Sequence, residues 1–226
     1  MGDVGGFYPF MRNHNNDGSI SQEFYRWLVV AQAAKNVLDM RYRLMDYLYT
    51  SLHQASLDGG PIIQPLWYKY PKETSTYPID LQFLFGPSIF ISPVTEENST
   101  SIMPNDMFYD FQTLAPIIGA GSNVTLNDMD FMEIPVYIIG GSILPLRVNG
   151  TMTTTELRQT DFELVVAPCS SGNASGQLYV DDGVLLEKTN GTTTVTFQYW
   201  NGTLNINGTF GFDLGVNIMD VKISGC

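Results

Sequence analysis

A chain of 226 residues with 44% hydrophobic and 12% aromatic content has enough apolar material for a sizeable core, one to three globular units, and is not a disordered sequence. Its 11 basic and 23 acidic residues give a formal net charge of -12, a sign that repels phosphate backbones and makes nucleic acid a poor partner. No apolar run approaches the ~20 residues of a membrane helix, and Met1-Gly2-Asp3-Val4 has neither the basic nor the apolar region of a signal peptide, so any secretion signal is expected upstream.

In chain order, the first distinctive stretch is Phe7-Tyr-Pro-Phe-Met-Arg-Asn-His-Asn-Asn16, a polar, planar and aromatic cluster ahead of a long apolar-periodic segment. Sugar sites use this mixture, because aromatic faces stack on C–H surfaces while Arg, His and Asn hydrogen-bond to hydroxyls. A loop whose Asn side chains cap a helix and whose His is merely hydrogen-bonded has the same composition.

From Ser21 to Leu57 apolar residues recur three and four apart (Phe24, Trp27, Leu28, Ala31, Ala34, Leu38, Met45, Leu48, Leu52, Ala55), which predicts a helical face. Ser19 with Gln22 reads as a capping box, and Asp58-Gly59-Gly60-Pro61 as a glycine stop followed by proline. The span is long for one globular helix, so two consecutive helices with a bend are expected. Pro61 to Tyr70 and Ser88 to Val94 then read as extended, partly buried segments.

Short strands separated by Gly, Asn and Pro follow: Ile134 to Ile139, Ile143 to Val148, Asp161 to Ala167, Gln177 to Val180 and Thr193 to Trp200. That spacing predicts about two small β-sandwiches, with the threonine-rich stretch Asn149 to Gln159 as the seam between them. No repeat suggesting a propeller or solenoid occurs.

Asparagine context bears on the compartment. With 15 Asn and 34 Ser or Thr in the chain, chance gives about 2 Asn-x-Ser/Thr sequons. Seven are present, at Asn98, Asn123, Asn149, Asn173, Asn190, Asn201 and Asn207, none with Pro in the middle. Asn-Gly-Thr is also good turn chemistry, but the excess points to a glycosylated, secreted protein. Cys169 and Cys226 allow one disulfide and do not establish it.

Several chemistries find no support. Two His at 14 and 53 and two distant Cys give no metal-ligand spacing, and there is neither a Gly-x-Ser-x-Gly elbow nor a phosphate-binding Gly-rich loop before a helix, so no metal or cofactor is expected.

The run Phe7 to Asn15 resembles the signature that glycoside hydrolase family 31 carries near the end of its catalytic barrel. Five further stretches agree in order: Arg41-Tyr-Arg-Leu-Met-Asp-Tyr-Leu-Tyr49, Leu81 to Gly86, Ile91 to Glu97, Ile134 to Leu146, and Leu178-Tyr-Val-Asp-Asp-Gly183. Thr153 to Arg158 and the sequon density are similar to the secreted fungal α-glucosidases of that family. The resemblance implies an α/β plus all-β fold: the C-terminal piece of a (β/α)8 barrel over 1–85, a proximal β-sandwich over 86–150 and an incomplete distal one over 151–226.

It also implies that His14 hydrogen-bonds the sugar in the cleaved subsite and that Arg12 shapes the same pocket. Gly2-Asp3-Val4-Gly5-Gly6-Phe7 resembles a separate barrel-strand motif, which makes Asp3 and Phe7 further candidates, unless Gly6-Phe7 simply begins the later motif. Asp181 and Asp182 read as a solvated Asp-Asp-Gly turn. Retaining α-glucosidases need two carboxylates about 5 Å apart, and the family's nucleophile sits in a Trp-x-Asp-Met-Asn context. Trp27, Trp67 and Trp200 are followed two residues on by Val, Lys and Gly, so the catalytic pair is absent from this sequence. The expected function is an α-glucosidase fragment whose parent takes α-glucosides or malto-oligosaccharides. The alternatives are a parent acting on another α-linked sugar such as xylose, or a non-catalytic carbohydrate-binding or structural module.

Overall fold

The computed structural model describes residues 5–94, 100–125, 134–186 and 188–225. After a 3-10 turn at Phe24–Arg26 come two helices, α1 (Leu28–Arg43) and α2 (Met45–Asp58). The expected bend lies at Leu44, whose φ of -86° and ψ of 3° interrupt the helix for one residue. The hydrogen bonds carry on across it, since the Leu44 N–H reaches Met40 O and its own carbonyl accepts from Leu48. The glycine stop is Gly59, at a φ of +81° that favours glycine, its N–H donating to Ala55 O.

The capping box does not form. The Ser19 hydroxyl donates to Asn16 Oδ1 at 2.7 Å, and α1 starts only at Leu28, behind Trp27 with no side-chain cap. The buried stripe is also displaced from the expected one. It runs Ala33, Ala34, Val37, Met40, Leu44, Tyr47 and Leu48, while Trp27, Leu28 and Leu52 are exposed. The start of α1 is apolar on more than one face, so residue spacing alone admits two stripes and tertiary packing selects between them.

Beyond α2 the described residues form two six-stranded sheets and one two-stranded pair. The first sheet holds β1 (Ile63–Pro65), β2 (Phe83–Phe85), β3 (Ile89–Ile91), β5 (Met107–Asp110), β6 (Pro116–Ile118) and β8 (Val136–Ile139), in the order β1-β2-β3-β8-β5-β6 and antiparallel throughout. The small pair is β4 (Thr100–Met103) with β7 (Ser122–Thr125). The second sheet holds β9 (Ser142–Arg147), β10 (Phe162–Ala167), β11 (Ala174–Val180), β12 (Thr193–Trp200), β13 (Thr203–Phe210) and β14 (Ile218–Ile223), in the order β13-β12-β11-β9-β10-β14. Of the stretch read as extended from Pro61 to Tyr70, only β1 is strand. Leu66–Lys69 turns as a short helix, α3, directly after Pro65, a residue well suited to precede a helix.

The sheets run across the expected domain limits. β2 lies before residue 86 and pairs with β3 after it. β9 lies before 150 and pairs along its whole length with β10 after it, from Phe162↔Arg147 to Ala167↔Ser142. The stretch 149–159 is therefore an intra-sheet connection, stiffened by the short helix α4 (Thr154–Leu157), whose first turn Thr153 caps through the Glu156 N–H.

One apolar cluster unites these parts. Val37, Met40, Leu44 and Leu48 of the helices meet Phe83, Phe85, Ile89, Ile91, Val136 and Ile138 of the first sheet and Leu144, Leu146, Val165 and Ala167 of the second. Because strand side chains alternate, the opposite face of each sheet builds its own cluster, around Phe90 and Phe108 in the first and around Phe162, Leu164 and Phe197 in the second.

Polar ties from α2 fix the layers. The Tyr47 hydroxyl donates to Phe85 O (2.7 Å) and accepts from the Ser88 N–H (3.0 Å), pinning the β2–β3 turn. A Cβ on Gly86 in that turn would lie 2.4 Å from the Tyr47 hydroxyl, so no other residue fits there. Arg147, fully buried on β9, donates to both Asp46 oxygens (2.6 and 2.9 Å), and its guanidinium lies 3.9 Å from the centre of the Phe162 ring. Glu163 on β10 accepts from Arg43 (2.5 Å) and Lys222 (2.7 Å).

Candidate functional site

The segment 5–22 is a loop laid over the end of the helical layer. It starts from a fixed point: Phe7 is fully buried, its ring 6.0 Å from that of Phe85 in an edge-on contact. Phe7 is thus a core residue with no face left for a sugar, which corrects its candidacy. The next ring, Tyr8, stacks on Phe83 at 5.5 Å. Asp3 lies outside the described residues.

The far half of the loop closes on itself. Asn13 Nδ2 donates to Gln22 O (2.6 Å), Asn15 Nδ2 to Ile20 O (3.0 Å), and Asn16 Oδ1 accepts from the Gly18 N–H and the Ser19 hydroxyl. The asparagines therefore do local turn chemistry, and the residues alternating with them, Arg12 and His14, stand exposed to solvent. A wide groove of about 1660 Å³ runs from Asn13 along α1 to Glu163 and Lys222, but neither Arg12 nor His14 lines it.

Sequence reasoning passes over Arg41. Its guanidinium donates to three loop carbonyls, Gly6 O (2.6 Å), Tyr8 O (2.5 Å) and Pro9 O (3.1 Å), and burial lowers its pKa from the ordinary value. The signal lay in the stretch Arg41 to Tyr49, but the partners are 32 to 35 residues away and no local pattern names them.

The Asp-Asp-Gly turn separates into two residues with different fates. Asp182 is the turn residue expected, accepting from the Val184 and Leu185 N–H groups and from Asn190. Asp181 is instead fully buried. It accepts from Tyr49 (2.9 Å), Tyr179 (3.0 Å), the Gly183 N–H (2.8 Å) and Lys188 (2.5 Å), while Arg158 donates to its carbonyl and His53 stacks on Tyr179 at 3.5 Å. Burial favours the neutral acid, but the bonds from Lys188, Gly183, Tyr49 and Tyr179 together outweigh it and hold the carboxyl at about 2. Burial, followed by the bond to Asp181, pushes Tyr179 up to about 12.

A carboxyl at about 2 in the fold and 3.8 when unperturbed contributes stability above about pH 4 that is lost as pH falls through 2. The contribution is about 2 kcal/mol. The urea midpoints of wild type and Asp181→Asn should therefore converge as pH is lowered from about 5 to about 2. A gap constant over that range would show that Asp181 is not the titrating group.

Among the described residues no group of three or more His, Cys, Asp or Glu is placed to hold a metal ion, and no helix is long and apolar enough to cross a membrane. Among the described residues Cys169 has no disulfide partner, and Cys226 lies outside them. Of the sequon asparagines, Asn123, Asn149, Asn190, Asn201 and Asn207 are exposed, Asn173 is partly buried, and Asn98 lies outside the described residues.

Comparison with known proteins gives these features a setting. Residues 2–51 match the model of the glycosyl hydrolases family 31 TIM-barrel domain, and residues 59–144 that of the glycosyl hydrolase family 31 C-terminal domain. The chain is 48% identical over 225 residues to "Probable alpha/beta-glucosidase agdC" of Neosartorya fischeri, a match covering 98% of this chain and 25% of that protein. It is 38% identical over 216 residues to an uncharacterized family 31 glucosidase of Schizosaccharomyces pombe, covering 91% and 21%. A crystal structure of glucosidase II alpha subunit, bound to alpha3-Glc2, superimposes with a TM-score of 0.90 at 28% identity, over 100% of this chain and 26% of that one. The chain spans about a quarter of the length of the relatives it matches.

Proposed function

Because the chain belongs to glycoside hydrolase family 31, we propose that it is the C-terminal portion of an α-glucosidase that removes terminal α-linked glucose from malto-oligosaccharides and related α-glucosides with retention. The observation that carries this reading is the 48% identity over 98% of the chain to a fungal protein named an alpha/beta-glucosidase. The geometry supports it: a loop anchored at one end by Phe7 and closed at the other by Asn13 and Asn15 offers Arg12 and His14 outward. In this reading His14 and Arg12 bind the sugar in the cleaved subsite, Asp3 is a further contact, and the nucleophile and acid come from barrel strands outside these 226 residues.

The test compares two polypeptides. The 226-residue chain should release no product from 4-nitrophenyl α-glucoside above the buffer blank over several hours, because orienting groups without a nucleophile and an acid do not break a glycosidic bond at useful rates. A polypeptide carrying a complete barrel together with this chain should hydrolyse maltose and release α-glucose first, as followed by NMR. Release of β-glucose, or no hydrolysis, would refute the reading.

The sequon excess and the exposure of the sites support a secreted, N-glycosylated protein. Occupancy should be high at Asn123, Asn149, Asn201 and Asn207, which are exposed. It should be lower at Asn190, whose Nδ2 is bonded to Asp182, and lowest at Asn173, whose Oδ1 is buried without a partner. Glycopeptide mass spectrometry on secreted material checks the order, and seven unmodified asparagines would end the idea.

A further inference from the structure

We propose that Arg41 is the positioning residue of the sugar-binding loop, holding Arg12 and His14 in place through the backbone; this rests on the function proposed above. The loop has two fixed regions, with Arg12 between them and His14 at the start of the second. Downstream, Asn13 and Asn15 close residues 13–22 on themselves, which shapes that half. Upstream, Phe7 is buried, Tyr8 stacks on Phe83, and the carbonyls of Gly6, Tyr8 and Pro9 all turn towards one guanidinium.

Three carbonyls converging on one point need a donor that is planar, forked and permanently charged. Arginine meets that need, while an ammonium on a flexible stem serves it less well. The frame behind Arg41 is rigid. Two residues on, Arg43 is paired to Glu163, and five on, Asp46 is paired to the buried Arg147, so the α1–α2 unit is fixed to the second sheet. The position of His14 is thereby referred to the core through Arg41, which fixes the backbone beside the Phe7 and Tyr8 contacts. A displacement on the order of 1 Å at a sugar-orienting group costs ~10²-fold in rate, so the grip matters to catalysis even though Arg41 itself touches no substrate.

The experiment has two arms. In the polypeptide carrying a complete barrel with this chain, Arg41→Met should lower kcat/KM by ~10-fold or more with kcat falling alongside it, and Arg41→Lys should recover part of the loss. In a His14→Ala background Arg41→Met should cost less than it does in the wild type, because part of its effect acts through the His14 contact. In the 226-residue chain, hydrogen exchange at the amides of residues 8–16 should speed up in Arg41→Met while the core strands keep their protection. Wild-type polypeptide that hydrolyses no α-glucoside defeats the functional reading, and the exchange arm still reports on Arg41. Losses that add in the double variant, a lowered Tm with unchanged kcat/KM, or unchanged exchange over 8–16 each overturn the role assigned to Arg41.

Discussion

Asp46→Ala is expected to destabilise the fold by about 3–5 kcal/mol, the range for breaking a buried ion pair from one side. Arg147 has no exposed surface, and Asp46 supplies the only negative charge bonded to its guanidinium among the described residues; Thr160 O and the Phe162 face complete its surroundings. Removing the carboxylate leaves a charge that can neither reach water nor lose its proton. The converse change separates loss of a charge partner from loss of packing. Asp46→Leu with Arg147→Met removes both charges and should regain most of the stability. Urea unfolding followed by circular dichroism measures all three, and a loss below about 1 kcal/mol for Asp46→Ala would mean that water reaches the guanidinium.

His14→Ala, in the polypeptide that includes a complete barrel, should lower kcat/KM on maltose by ~10² or more, because a hydrogen bond to a sugar hydroxyl that strengthens in the oxocarbenium-like transition state acts on the rate. The fold should be untouched, since His14 stands exposed on a loop. Phe7→Ala gives the opposite pattern, losing about 3–5 kcal/mol of stability because Phe7 is fully buried against Phe85. The test is kcat/KM beside an unfolding curve for each variant. A His14→Ala enzyme with unchanged kcat/KM would remove His14 from the site.

Much of the fold is legible in the sequence where local signals and burial agree. The run Thr193 to Trp200 is β12 from end to end, and the helical stretch breaks into two helices. Local signals fail where a distant partner decides. Ser19 has the residue type of a cap, but its hydroxyl is taken by Asn16. Asp181 has the neighbours of a surface turn, but Tyr49 approaches from α2 and buries it. The stretch Arg41 to Tyr49 shows the same limit more broadly. Arg41 grips the loop, Arg43 reaches Glu163, Asp46 holds Arg147, Tyr47 pins the β2–β3 turn and Tyr49 meets Asp181, and the separations run from 32 to 132 residues. Residue types mark these positions as unusual; only the fold says what each one touches. The sugar-binding roles proposed for His14 and Arg12 rest on the family resemblance, and the fold adds only that both side chains are exposed on a loop whose asparagines bond locally.

The pairing of β14 with β10 bears on how the molecule is made. The two strands run parallel, with Leu164 opposite Val221 and Val166 opposite Ile223, and β11, β12 and β13 are strung between them. β11, β12 and β13 can zip up as consecutive hairpins while the chain emerges during synthesis, but β10 cannot gain its outer neighbour until the residues of β14 have been added. Contacts of such long sequence separation form slowly, so the edge of β10 beside the apolar cluster around Leu164 and Val166 stays open longest. β14 is made after the other five strands of its sheet and completes that sheet, and the interval before it appears leaves the edge of β10 open to mispairing and in need of a chaperone.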